Sequence, residues 1–286
     1  MKLRPNGRSS TALRSEQRFS VPASTVEAMA HVERIDTYPV KGFDRCPLES
    51  ARILDGGTLE HDREYALYDV DGDVINGKRT DRVHHVSATY DPETGTLTIQ
   101  GPDLPSRRFV LPAEREAAAS HFGTIFDAEL RLQRNATRGF VDRPSMGPSV
   151  ISTATLETVS SWYDSMTLDG ARRRFRANME VGGVPAFWED RFVGEGAPAF
   201  RIGGVRFEGV TPCGRCVVPG RDPDTGEEID GFRETFVERR EASFPEWADR
   251  DALDHLFTLR LIARVPEVDR GSSITVGDDV EIIEGT

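Results

Sequence analysis

The sequence predicts a mainly β chain with a few helices packed outside it, an α+β fold built in two halves. Three observations predict this. From His31 onward the chain runs in short apolar alternations cut by turn signals, windows of good helix formers are few and short, and residues 138–148 gather two prolines and two glycines as a boundary would. The expected organisation is a tail over residues 1–28, a first domain over 29–137 and a second over 138–286. At 286 residues the chain is long for one domain, for which about 100–200 residues is usual.

Composition narrows the class. With 37% hydrophobic and 29% charged residues the chain is globular, and it has no run of about 18 apolar residues that could span a bilayer, so no membrane partner is expected. Net charge is -12, and of 36 basic residues only Lys2, Lys41 and Lys78 are lysines. An acidic surface almost without lysine suits solubility at high salt, so a halophilic source is expected, with codon bias as the competing explanation. Nucleic acid is disfavoured as a partner because phosphate neutralisation needs a basic face. The three cysteines, Cys46, Cys213 and Cys216, are too few for a disulfide framework or a four-thiolate cluster, which points to a reducing, cytoplasmic setting.

In order along the chain, residues 1–28 carry five basic and two acidic side chains, many serines and no apolar signal core. They read as a disordered arm, a targeting segment or a misassigned start; a start at Met29 is the preferred reading. The stretches HVERIDTYPV, ARILDGG, REYALYDVDGDVI, VSATYD and TLTI read as strands. Between them lie turns at 55–57, 71–73, 76–77 and 91–95, a spacing that fits an antiparallel barrel or meander. The segment 113–122 (AEREAAASHF) is the first helix former. Lys41, Arg63 and Arg79 place cations beside turns, which as edge-strand charges would only blunt pairing.

After the boundary, Ser152 or Thr153 caps a helix predicted through Met166, with Leu156, Val159, Trp162, Tyr163 and Met166 at helical spacing. Its free N–H groups also suit an anion or polar ligand. Beyond the arginines at 172–174 the chain alternates into an expected strand on which Arg176 and Asn178 share a face, a guanidinium and an amide offered to one ligand or to solvent. Residues 187–192 (FWEDRF) and 199–208 read as strand and turn, 246–264 as helix and strand, and 270–283 as a turn and a last strand.

The segment 211–226, TPCGRCVVPGRDPDTG, concentrates the chemistry. Cys213 and Cys216 there could be a redox dithiol, half of a zinc site, one thiolate ligand with a bystander, or two buried hydrophobes. A thioredoxin-type pair should open a helix, which Val217-Val218-Pro219-Gly220 disfavours. Zinc needs about four ligands, and the chain offers no second cysteine or histidine pair of suitable spacing. A single soft thiolate suited to a transition metal remains, beside a bland alternative of a non-catalytic β protein with buried cysteines.

From His31 to Ile283 the sequence resembles the MOSC-domain proteins preceded by a MOSC N-terminal β-barrel domain, the family of the amidoxime-reducing molybdenum enzymes and of the carboxy-terminal domain of molybdenum cofactor sulfurases. The resemblance rests on Tyr38-Pro39-Val40-Lys41, His61-Asp62-Arg63, Ser152-Thr153-Ala154-Thr155-Leu156, Arg176-Ala177-Asn178, Cys213-Gly214-Arg215-Cys216 with Asp222-Pro223-Asp224-Thr225-Gly226, and Ile274-Thr275-Val276-Gly277-Asp278 in this order.

The resemblance implies a first β-barrel domain joined to a MOSC β-barrel domain, with the molybdenum cofactor, a molybdopterin carrying Mo, in a cleft between them. It implies that Cys216 ligates the metal at the catalytic centre while Cys213 does not. Lys41 and Arg63 would contact the molybdopterin phosphate, and Ser152, Thr153, Arg176 and Asn178 would hold the pterin; pyridoxal phosphate is not expected. Gly42 stands where amidoxime reducers commonly place a serine, so only a backbone N–H could replace that hydroxyl. With three cysteines there is no four-cysteine ferredoxin domain, so electrons are expected from a separate protein: a ferredoxin, a flavoprotein or a cytochrome b5-like donor. The implied activity is reduction of small N-oxygenated compounds (hydroxylamines, amidoximes, N-oxides), with a cofactor carrier or sulfur-transfer protein as the alternative.

Overall fold

The computed structural model describes residues 29–143 and 146–284; the expectations attached to residues 1–28 lie outside them. The first half contributes strands β1 (His31–Thr37), β2 (Cys46–Leu48), β3 (Ser50–Arg52), β4 (Tyr65–Tyr68), β5 (Ser87–Asp91), β6 (Thr96–Gln100) and β7 (Arg107–Val110), then helix α1 (Arg115–Phe126) and β8 (Arg131–Arg134). β5, β6 and β7 form an antiparallel meander, and β4 pairs with β8. The turn between β5 and β6 follows from its residues: Asp91 accepts from Glu93 N at 3.0 Å and from the Thr94 hydroxyl at 2.7 Å, and Gly95 takes a φ of 66°.

The second half supplies β9 (Ser149–Ser152), α2 (Thr153–Ser160), α3 (Leu168–Phe175), β10 (Met179–Gly182), β11 (Ala199–Ile202), β12 (Val205–Gly214), α4 (Phe232–Ala242), β13 (Thr258–Arg264), β14 (Ser273–Thr275) and β15 (Val280–Ile283). One eight-stranded sheet runs β15-β11-β12-β13-β9-β10-β1-β2, and β14 pairs with β3. The first strands of the chain therefore complete the sheet of the second half. β9 shows how the sheet divides the interior: Val150 packs among Ile35, Met179 and Phe207 on one side, whereas Ile151 joins Leu156, Phe175 and Phe236 beneath the helices. A third apolar cluster lies between the meander and α1.

The mainly β, α+β expectation holds, with four α-helices among the described residues. The two expected barrels are not found closed: among the described residues the sheets are open, the large one ending at β15 and β2. No helix among these residues is long and apolar enough to cross a membrane.

Four local expectations need correction. α2 ends at Ser160 rather than near Met166, and Tyr163 leaves the helical path to stack on Phe232 at 4.8 Å. Residues Trp188–Phe192 form a 3-10 turn, not a strand. Between 246 and 257 the only helical turn is the 3-10 segment Arg250–Ala252. Arg176 and Asn178 do not share a strand face, because Arg176 terminates α3 in the left-handed region at φ 53° and β10 starts at Met179.

Candidate functional site

Where the halves meet lies a cleft of about 990 Å3, at the upper end of the range usual for small-molecule sites. Tyr38 forms its floor. The Tyr38 N–H donates to Asp62 Oδ1 at 3.1 Å, its ring carries the guanidinium groups of Arg176 at 3.9 Å and Arg63 at 5.1 Å, and its hydroxyl donates to Ala177 O at 3.2 Å. Burial pushes the tyrosine up to about 12, so it stays neutral and offers a ring face to two cations. Burial also pulls Arg176 down to about 10. For Arg63, burial opposes the charge, but the paired carboxylate of Asp62 together with Tyr38 and Asp142 raises its pKa on balance.

Lys41 reaches the same cleft because Lys41 N donates to Tyr65 O, fixing the chain beside β4. Its Nζ donates to Asp142 Oδ1 at 2.5 Å, and Lys78 Nζ stands 3.8 Å from the other carboxylate oxygen. Gly42 follows at φ 93°, and a Cβ there would stand 3.3 Å from Asn76 Cα and Ile75 O. A side chain at this position is strained, which accounts physically for glycine in place of serine.

The opposite wall is the end of β12 and the turn after it, with Cys213, Arg215 and Cys216. The loop beyond is shaped by Asp222, whose Oδ1 accepts from Asp224 N at 2.9 Å and Thr225 N at 3.1 Å, and Arg174 donates to its Oδ2 at 3.2 Å. Arg215 donates to Cys213 Sγ at 3.3 Å. Burial would raise the Cys213 thiol, but Arg260 and Arg215 overcome it and bring it down to about 7. Cys213 is thus part of the cleft's electrostatics.

Arg260 is the residue that sequence reasoning missed. It lies on β13, where two residues, Leu259 and Arg260, face the single Cys213 of β12 between the pairs Pro212–Leu261 and Gly214–Thr258, and it takes a φ of 66°. This bulge switches the faces of the strand. Leu259 enters the core under the helices, Leu261 enters the core on the other side of the sheet, and Arg260 turns into the cleft. There its Nη1 donates to Ser149 Oγ at 3.1 Å and to the carbonyl of Arg176.

Of the expected site residues, Lys41, Arg63, Arg176 and Cys216 line this one cleft, while Ser152, Thr153 and Asn178 do not. Ser152 is fully buried, where its Oγ accepts from Thr155 N at 3.1 Å and caps α2. Thr153 directs its hydroxyl to Val181 O at 3.5 Å. Asn178 splices three strands, accepting from Ser149 N at 3.1 Å and donating to Asp36 O at 3.2 Å. Their polar groups bond to the backbone around them.

Among the described residues no three His, Cys, Asp or Glu side chains gather into a metal site. A metal held at Cys216 would therefore need most of its ligands from a cofactor. The residues present fit one that is anionic, with a thiol on one wall and fixed cations on the other.

The family model described as the MOSC N-terminal beta barrel domain matches residues 29–136, and that of the MOSC domain matches 146–281. This chain is a MOSC-domain protein. The MOSC protein is 22% identical over 248 residues to mitochondrial amidoxime-reducing component 1 of Xenopus laevis, covering 71% of this chain and 69% of the relative. It is 25% identical over 245 residues to mitochondrial amidoxime reducing component 2 of Macaca fascicularis, covering 70% and 69%. A molybdenum cofactor sulfurase of Oryza sativa subsp. japonica is 21% identical over 246 residues, which span 70% of this chain but 29% of the sulfurase. Among solved structures, the YuaD protein of Bacillus subtilis aligns over 91% of this chain and 98% of its own at 12% identity and a TM-score of 0.36.

Proposed function

We propose that this MOSC protein holds the molybdenum cofactor in the cleft and reduces small N-oxygenated compounds, with electrons from a separate donor protein. The observation that carries the reading is the meeting, in one cleft, of Cys216 from the second half with Lys41 and Arg63 from the first and Arg176 between them. In this reading Lys41 and Arg63 hold the cofactor's phosphate, Arg176 and the Tyr38 floor hold its flat ring system, and Cys216 is the protein's ligand to the metal. Ser152, Thr153 and Asn178 act one step back, fixing the strand ends from which those groups project. The bound cofactor supplies two-electron oxygen-atom removal; for an amidoxime, RC(NH2)=NOH with two electrons and two protons gives the amidine RC(=NH)NH2 and water. The protein's part is binding, orientation and charge.

Support for the class comes from the amidoxime-reducing relatives. The sulfurase relative and the low-lying thiol of Cys213 favour a second reading, a cofactor carrier or sulfur-transfer protein. Turnover separates the two. Protein expressed in a host that makes the cofactor should reduce benzamidoxime to benzamidine with a reduced viologen as donor; retained cofactor without turnover, whatever the donor, would favour the carrier.

A further inference from the structure

The cations lining the cleft fall into two groups when sorted by partner. At one end Lys41 and Lys78 face Asp142, and Arg63 is paired with Asp62. Along the rim Arg45 is paired with Asp169 at 2.8 Å, Arg173 with Asp224 at 2.6 Å, Arg174 with Asp222 at 3.2 Å and Arg221 with Glu228 at 2.9 Å. Among the described residues, Arg176, Arg215 and Arg260 alone of the lining cations have no carboxylate partner. The Nε atoms of Arg215 and Arg260 are buried without any hydrogen-bond partner, as are those of Arg174 and Arg221, but of these four only Arg215 and Arg260 combine this with the lack of a carboxylate. Leaving guanidinium groups so placed is costly unless something anionic completes the site.

The backbone marks the same residues. Among the described residues six non-glycine positions have positive φ, and three of them are cleft arginines, Arg63 at 52°, Arg176 at 53° and Arg260 at 66°. Strained conformations of bulky residues persist where a ligand contact requires them. Arg63 and Arg176 are already given roles by the proposed cofactor site; Arg260 carries the same signature without one. Beyond the Ser149 hydroxyl and the Arg176 carbonyl, to which it donates, the group in the cleft that feels its charge is Cys213, which Arg215 also contacts. One thiol between two guanidinium groups leaves at least one positive charge unanswered, even when that thiol is ionised. These groups lie on the wall that bears Cys216, where a reacting molecule would have to arrive.

We propose that Arg260, supported by Arg215, is a specificity-determining residue that binds the carboxylate of a small N-oxygenated substrate and holds its N–O group toward Cys216. A planar guanidinium matches a planar carboxylate better than it matches a neutral amidoxime. The orienting role rests on the proposed reductase reading; the carboxylate preference itself does not.

The test uses 4-carboxybenzamidoxime and uncharged benzamidoxime on the full chain. In calorimetric titrations of the cofactor-free protein, the acid is expected to bind about tenfold more tightly than the neutral compound. Arg260→Asn should bring the two affinities together, since asparagine tolerates positive φ and keeps the bulge while removing the charge. Arg260→Lys should keep part of the preference. In the loaded enzyme the ratio of the two KM values should follow the same order, with molybdenum content retained in Arg260→Asn. Equal binding of both compounds by the wild type, an undiminished preference in Arg260→Asn, or nitrate binding as tightly as the acid would each overturn the inference. Preferential binding without reduction of either compound would instead sink the reductase reading and leave the carboxylate site standing. Reduction of both with equal KM and equal affinity would do the reverse.

Discussion

Asp142 stands in the way of the proposed phosphate site. Its carboxylate occupies Lys41 at 2.5 Å and faces Lys78 at 3.8 Å. Burial works against its charge, but the hydrogen bond from Lys41 and the charges of Lys41 and Lys78 prevail and hold it below the usual carboxylate range. A phosphate arriving at Lys41 would compete with this carboxylate. Asp142→Asn is therefore expected to raise the affinity of the cofactor-free protein for inorganic pyrophosphate. The gain should be no more than about fivefold, because the Asp142 side chain is 68% exposed and pairs of that kind contribute roughly 0–1 kcal/mol. Calorimetry reads the change, and an unaltered or weaker affinity would show that Asp142 does not compete. The sequence exposes Lys41, Arg63 and Cys216 because each sits in or beside a turn motif with recognisable neighbours. Arg260 escapes it: Leu259-Arg260-Leu261 reads as ordinary alternation, and nothing in those letters announces a positive φ that sends the two leucines to different cores.

At the scale of elements, the start of α2 is tied to a buried acid pair. Glu189 Oε2 accepts from Ser152 N at 3.2 Å and from the Thr155 hydroxyl at 3.1 Å, while Asp190 pairs with the fully buried Arg240. Burial, reinforced by the charge of Asp190, pushes Glu189 up to about 8. A carboxyl raised in the folded state favours folding while it holds its proton. Its contribution is whole below about pH 4.5, where the unfolded group also titrates, and is lost as pH climbs toward 8. The wild type is thus expected to lose on the order of a few kcal/mol of stability between pH 5 and 8.5 from this group, and Glu189→Gln to show a flatter profile in thermal melts. Parallel profiles would contradict the assignment. The cap of α2 is legible in Ser152 and the apolar period that follows. Its end is not, because Tyr163 and Met166 stay at helical spacing and stay buried although the chain has turned. α4 is hidden in the sequence for the opposite reason: FRETFVERREA is mostly charged, and its only apolar side chains in the core beneath the helices are Phe232, Phe236 and Val237.

For the molecule as a whole, one cleft depends on strands that are far apart in the chain. β1 pairs with β10, and the Asp36 N–H donates to Asn178 O at 2.8 Å, bringing the Tyr38 floor against the end of α3. The general plan, mainly β with a few helices, is visible in turn spacing and composition. The sharing of one sheet between the halves is not, since β1 alone would serve equally well as an edge of its own half. A net charge of -12 surrounds a cleft wall that concentrates arginine, so the local field there opposes that of the surface and draws anions inward. In the proposed function this cleft holds the molybdenum cofactor, with Cys216 as the single protein thiolate on the metal. Molybdenum per chain, measured after expression in a cofactor-producing host, tests this most directly. Close to one metal per wild-type chain is expected, a comparable content in Cys213→Ala and a loss of most of it in Cys216→Ala. Metal absent from the wild type, or equal in Cys216→Ala, would contradict it.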